Sequence, residues 1–114
     1  MPSPTEPRQI EDEAELERLF TAPRALPFKH SLICPVSARA FAEYRRFLDA
    51  DGSEPNAWID VIGQRPLSRA VEARTGVRHE SPQAILLESG RVLWSASHGA
   101  ITSAALEAAL TRRA

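Results

Sequence analysis

The chain has 114 residues, 43% of them apolar and 25% charged, which is the average make-up of one soluble globular domain long enough to bury a core. Its 14 Lys and Arg against 15 Asp and Glu leave a net charge of -1, so no long-range field draws it to nucleic acid or to an anionic membrane. The single cysteine, Cys34, excludes an intramolecular disulfide and fits a reducing cytoplasm.

Met1 to Gln9 carries Pro2, Pro4 and Pro7 among polar residues, with no apolar targeting run, and is expected to be a disordered tail before a single domain over residues 10–114. Apolar stretches such as Ala84 to Leu87 fall far short of the ~20 residues that span a bilayer. Ile10 to Phe20 places Ile10, Ala14, Leu16, Leu19 and Phe20 on one helical side, with Glu11, Asp12 and Glu13 in the first turn where acids suit the dipole. Beyond Pro23, Ala25 to Ser31 suits a short strand running into a loop.

Cys34-Pro35 opens a second helical pattern through Ala38, Phe41, Tyr44, Arg45 and Leu48, ending before Asp51-Gly52. Proline suits the first helical position, which puts Cys34 at the N-cap. Asn56 to Ile62 reads as a buried strand, and Pro66 to Thr75 as a helix stopped by Gly76. Gln83 to Glu88 and Arg91 to Ser97 flank Ser89-Gly90 as a tight hairpin, and Thr102 caps a last helix. Trp58 and Trp94 fall inside strands as core residues. The order α-β-α-β-α-β-β-α, with a right-handed βαβ half and a hairpin half, gives a four-stranded mixed sheet with helices on both faces. That is an α/β, thioredoxin-like arrangement, and it places Cys34 at the strand end where such sheets hold ligands.

The chemistry centres on Cys34-Pro35-Val36-Ser37. A thiolate at a helix start is stabilised by free backbone N–H groups and the positive end of the dipole, and Lys29, His30 and Arg39 add nearby positive potential. Ser37 stands where a dithiol oxidoreductase has its resolving cysteine, so a mixed disulfide on Cys34 must be resolved from outside. The His79-Glu80-Ser81-Pro82 loop is expected to face this turn, with the Ser81 backbone open to an incoming thiol's polar groups. His30, His79, His98 and Cys34 lack the close pairing of zinc ligands, so no metal site is expected. Neither a serine-hydrolase elbow nor a phosphate loop is present.

Several segments resemble one family, the monothiol bacilliredoxins of the YtxJ type, small thioredoxin-fold proteins of bacteria that make bacillithiol. The matching stretches are Lys29-His30-Ser31 with Cys34-Pro35-Val36-Ser37, Arg65-Pro66-Leu67-Ser68, the run Gly76 to Gln83, and Ser97-His98 with Ile101-Thr102. The resemblance implies that Cys34 attacks, that Pro35, Val36 and Ser37 form the active-site turn, and that Glu80, Ser81 and Pro82 form the thiol-binding loop, Pro82 being a cis-proline. It implies removal of bacillithiol from S-bacillithiolated client proteins, with bacillithiol as co-substrate and no bound cofactor. Bacillithiol has a malate portion, which makes Lys29, Arg65 and Arg78 candidates for charge-assisted hydrogen bonds to its carboxylates. Gly99 follows His98 where the family resembles His-Trp, Val36 replaces an isoleucine, and Gln64 stands where a histidine is expected. Two other classes compete: a monothiol glutaredoxin-like Fe–S or metal carrier, and a non-catalytic thioredoxin-fold adaptor. A stiff turn at Pro35 argues against the carrier. The protein is expected to be a cytoplasmic monomer.

Overall fold

Prolines, glycines and small polar caps punctuate this chain, and the elements fall between them. The computed structural model describes residues 7–51 and 55–111; the first six residues of the expected tail and the last three of the expected domain lie outside the described residues. In chain order they form β1 (Arg8–Gln9), α1 (Glu13–Thr21), β2 (Arg24–His30), α2 (Pro35–Asp51), β3 (Asn56–Asp60), α3 (Arg65–Thr75), β4 (Gln83–Glu88), β5 (Arg91–Ser97), a short 3-10 turn (His98–Ala100) and α4 (Ser103–Leu110). None of these helices is long and apolar enough to cross a membrane.

The strands form one mixed sheet in the order β1-β3-β2-β4-β5, with β2 parallel to β3 and antiparallel to β4. The sheet has five strands where four were expected. Arg8 and Gln9, assigned from composition to a disordered tail, pair in parallel with Ala57 and Trp58, and the Ile10 N–H donates to the Trp58 carbonyl at 3.0 Å. The outer edge of β3 carries backbone groups that need partners, and buried Ile10 anchors the chain that supplies them. The first helix also begins later than Ile10. The Asp12 side chain accepts from the Glu15 N–H, so Asp12 is the cap and Glu13 and Glu15 occupy the first turn.

Side-chain alternation along the strands sorts the core into two layers. Ala25, Ala57, Ile59, Ile85 and Leu87 pack with Leu16, Leu19 and Phe20 of α1 and with Leu67 and Val71 of α3. On the other face Leu26, Phe28, Ala84 and Leu86 pack with Tyr44, Phe47 and Leu48 of α2 and with Leu106 and Ala109 of α4; Trp58 and Trp94 flank this layer, partly buried. Each fully buried large side chain contributes roughly 1.5–3 kcal/mol of transfer free energy. The helices therefore cover both faces, and β2 is buried on both.

Glycine is required in the β4–β5 turn. Ser89 and Gly90 have φ of 49° and 81°, the type I′ pattern that matches strand twist, and a Cβ on Gly90 would sit 2.8 Å from the Phe20 carbonyl oxygen. Gly90→Ala therefore combines left-handed strain with a backbone clash and should cost about 1–3 kcal/mol, read as a lowered urea midpoint. An unchanged midpoint would show that this turn relaxes freely.

Candidate active site

The C-terminal ends of β2 and β3 and the start of β4 meet at one end of the sheet. After His30 the chain turns at once into α2: the Cys34 N–H donates to the Ser31 carbonyl at 3.4 Å, and the Cys34 carbonyl accepts from the Ala38 N–H at 3.0 Å. Cys34 thus stands immediately before the first residue of α2 with its side chain half-buried. The Val61 N–H donates to the His30 carbonyl at 3.0 Å, which ties the loop after β3 to this turn. The Ser81-Pro82 peptide is cis, and the Pro82 carbonyl accepts from the His98 N–H at 3.0 Å. Ser81 Oγ is buried without a hydrogen-bond partner among the described residues, and Glu80 is half-buried.

Ser37 has its own commitment. Its hydroxyl is fully buried, accepts from the Ser31 N–H at 2.9 Å and lies 2.7 Å from His30 Nδ1. Burial lowers the His30 pKa below its ordinary value, so the ring is neutral at pH 7. We assign the hydroxyl proton to the bond with Nδ1, which leaves the ring proton on Nε2. His30 stacks on Phe41 at a centroid distance of 4.4 Å, with Phe28 and Trp58 edge-on. The sequence places His30 among nearby positive charges; the structure instead uses it as an uncharged strut between β2 and α2. Its signal was parity, since His30 lies two residues beyond the core residue Phe28 and shares its face.

Lys29 points to the opposite face. It is only 2% exposed, and its ammonium donates to His79 Nδ1 at 3.1 Å. It therefore has no surface from which to take a ligand carboxylate, contrary to the sequence reading. Burial pushes its pKa down to about 8, opposed by the carboxylate of Glu72. Arg65 and Arg78 are exposed, Arg65 at the first residue of α3 and Arg78 in the loop before the cis-proline. Gln64 fills a structural role, accepting from the Asp60 N–H at 2.9 Å and donating to the Ile10 carbonyl at 2.6 Å.

Exposed apolar residues lie on both sides of Cys34 in the chain. The exposed large apolar residues among those described are Leu32, Ile33, Val36 and Ile62, all following β2 or β3 at this end of the sheet. Beside them a groove of 610 Å³ runs between the start of α2 and the 3-10 turn, lined by Pro35, Val36, Arg39, His98 and Gly99 among others. A Cβ on Gly99 would meet nothing within 4 Å, so this position is open. Sequence reasoning gave Gly99 only as a departure and missed the groove, which exists only once α2 and the turn are juxtaposed.

The architecture recurs in solved structures. A thioredoxin-fold protein proposed to be an oxidoreductase superposes with a TM-score of 0.83 at 28% identity, over 90% of this chain and 92% of that one. Thioredoxin from Trypanosoma brucei brucei gives 0.78 at 9% identity, over 94% and 89%. A mutant thioredoxin from Halobacterium salinarum gives 0.73 at 21% identity, over 95% and 90%. At the latter two identities the likeness is one of fold. This fold, with one cysteine at the start of α2 and serine at the resolving position, defines a thiol redox protein of the monothiol class. Residues 8–106 match the family of monothiol bacilliredoxin BrxC, and the chain belongs to that family.

The burial of His30, opposed by the carboxylate of Asp60, makes stability pH-dependent. The folded pKa of His30 lies below its ordinary value of 6.5, so the unfolded chain binds more protons and stability falls as pH drops below 6.5. A His30→Phe variant should show a shallower fall in urea unfolding between pH 7 and 5; an equal slope would assign the effect elsewhere. Ser37→Ala leaves the Ser31 N–H and His30 Nδ1 unpaired in the interior and should cost about 1–3 kcal/mol.

Proposed function

We propose that this protein removes bacillithiol from S-bacillithiolated client proteins in the cytoplasm, as a thiol-disulfide oxidoreductase using Cys34 alone. The observation that carries this reading is a half-buried cysteine at a helix start, set among exposed Leu32, Ile33, Val36 and Ile62. An apolar collar of this kind suits a protein surface better than a small polar thiol alone. The Cys34 thiolate attacks the bacillithiol sulfur of the mixed disulfide; a new S–S bond forms, the old one breaks, and the client cysteine leaves as a thiolate that takes up a proton. A second bacillithiol thiolate then attacks the bacillithiol sulfur held on Cys34, releasing bacillithiol disulfide and the Cys34 thiolate. In the net exchange the client mixed disulfide and one bacillithiol thiol become the client thiol and bacillithiol disulfide, one S–S bond replacing another with no bound cofactor.

Pro35, Val36 and Ser37 shape the attacking turn. The Glu80, Ser81 and Pro82 loop offers its backbone to the incoming disulfide, and Ser81 Oγ is an unpartnered buried group beside it. Arg65 and Arg78 remain exposed candidates for the carboxylates of the thiol. The family to which the chain belongs supports bacillithiol as the carrier.

Intact mass after incubation with bacillithiol disulfide, and separately with glutathione disulfide, tests the chemistry. A bacillithiol adduct on Cys34 that forms faster than the glutathione adduct is expected; Cys34→Ser should form neither while keeping its fold by circular dichroism. No adduct with either disulfide would overturn the reading. Ile33→Asp should slow release from a protein client by about tenfold more than exchange with bacillithiol disulfide, since a charge in a desolvated collar costs on the order of 1–2 kcal/mol. Equal effects on both would remove the collar from client recognition.

A further inference from the structure

A second pocket, of 310 Å³, opens on the α3 side of the sheet and is lined by Arg65, Ser68, Arg69, Glu72 and His79 together with Ile62 and Val61. Arg65 and Arg69 stand one turn apart on α3, on the same helix face. Neither guanidinium has an ion pair or hydrogen bond among the described residues. The pocket's acid is already engaged, because Glu72 Oε2 accepts from the His79 N–H at 2.7 Å.

Behind this wall lies the buried ammonium of Lys29, 3.1 Å from His79 Nδ1, and Ser68 Oγ lies 3.2 Å from the same nitrogen. With Nδ1 engaged by these donors, the neutral ring carries its proton on Nε2, which leaves one N–H to offer a ligand. Burial and the positive charges of Lys29 and Arg65 hold the His79 pKa below its ordinary value, so the ring is neutral at pH 7. Three cationic side chains, Lys29, Arg65 and Arg69, stand against the carboxylates of Glu72 and Glu80, both of which act on His79, and the imbalance favours an anion. Paired guanidinium forks suit planar carboxylates in particular. Ile62 belongs both to this pocket and to the apolar collar after β2 and β3, so the two surfaces are continuous.

We propose that the pocket of Arg65, Arg69 and His79, backed by Lys29, is the subsite that holds the carboxylate-bearing part of the thiol exchanged at Cys34. This rests on the thiol-exchange reading above. It separates the cations near the site by role: Arg65 and Arg69 grip the anion, Lys29 acts from behind as a positioning residue that fixes the His79 tautomer, and Arg78, an exposed candidate in the adjoining loop, does not line this pocket.

The binding arm uses the full chain carrying Cys34→Ser, so that thiol chemistry contributes nothing. Titration with L-malate, with its uncharged diamide and with inorganic phosphate is followed by amide NMR. Saturable malate shifts at residues 65–69 and 79, absent with the diamide, are expected, with affinity reduced about tenfold by Arg69→Ala and partly restored by Arg69→Lys. Phosphate binding as tightly as malate, or shifts that Arg69→Ala leaves untouched, would overturn the carboxylate subsite.

The kinetic arm compares an acidic with a neutral small mixed disulfide. The preference of the wild-type protein for the acidic one, expressed in KM, should fall at least fivefold in Arg69→Ala, and an unchanged preference would overturn the subsite. Failure of the wild-type protein to exchange either disulfide would instead overturn the thiol-exchange reading, and malate binding would then decide the anion site by itself.

Discussion

A polar side chain buried at the end of a central strand must find a partner, because an unpaired buried group costs on the order of 1–3 kcal/mol. Here the last two residues of β2, Lys29 and His30, are both buried, and alternation sends them to opposite faces of the sheet. Each is satisfied by a different neighbour. His30 meets Ser37 in the first turn of α2, and Lys29 meets His79 in the segment that leads to the cis-proline. The two segments that frame Cys34 are thus tied to one strand through its two polar residues.

This arrangement joins the fold to its chemistry. The Ser37 hydroxyl is held by Ser31 and His30, so the position of a resolving thiol is given over to scaffolding. The His98 N–H closes on the Pro82 carbonyl, and the Val61 N–H on the His30 carbonyl, so three loops are held by backbone bonds around a half-buried cysteine. Rigid loops of this kind present an exposed apolar collar without letting it collapse onto itself, which would hide the sulfur. The same end of the sheet carries an exposed apolar surface and a pocket lined by cationic side chains.

Much of this was legible from local signals. Pro35 after Cys34, Gly76 after the third helix, Ser89-Gly90 between two β-rich runs and Thr102 before an alanine-rich segment each act through one residue's backbone preference, and the elements begin and end beside them. The cysteine and the start of its turn were legible because Pro35 follows Cys34 directly, whereas the cis-proline Pro82, far along the chain, was implied only by the family resemblance. Lys29 was misjudged for a physical reason: lysine is almost never fully buried, and Lys29-His30-Ser31 reads as the polar start of a loop. Only the pairing of β2 between β3 and β4 shows that the strand is covered to its last residue. Arg69 and Gly99 carried no local signal, since their surroundings depend on how α3 and the 3-10 turn pack against distant segments. The fifth strand was invisible because two polar residues after a proline show no alternation; the edge of β3 recruits them.

That short strand has a consequence for the molecule among its neighbours. An open sheet edge is a template onto which another chain can add, and the hazard grows with its length and flatness. β1 offers only Arg8 and Gln9, both exposed, and follows Pro7, which has no N–H to donate. At the far side, the register of β4 and β5 shifts between Leu86 and Leu87, which breaks the evenness of the hairpin that forms the other edge. Both margins of the sheet are therefore poor templates for strand addition, and a protein that must keep apolar side chains in solvent around its sulfur is shielded from aggregating through its backbone.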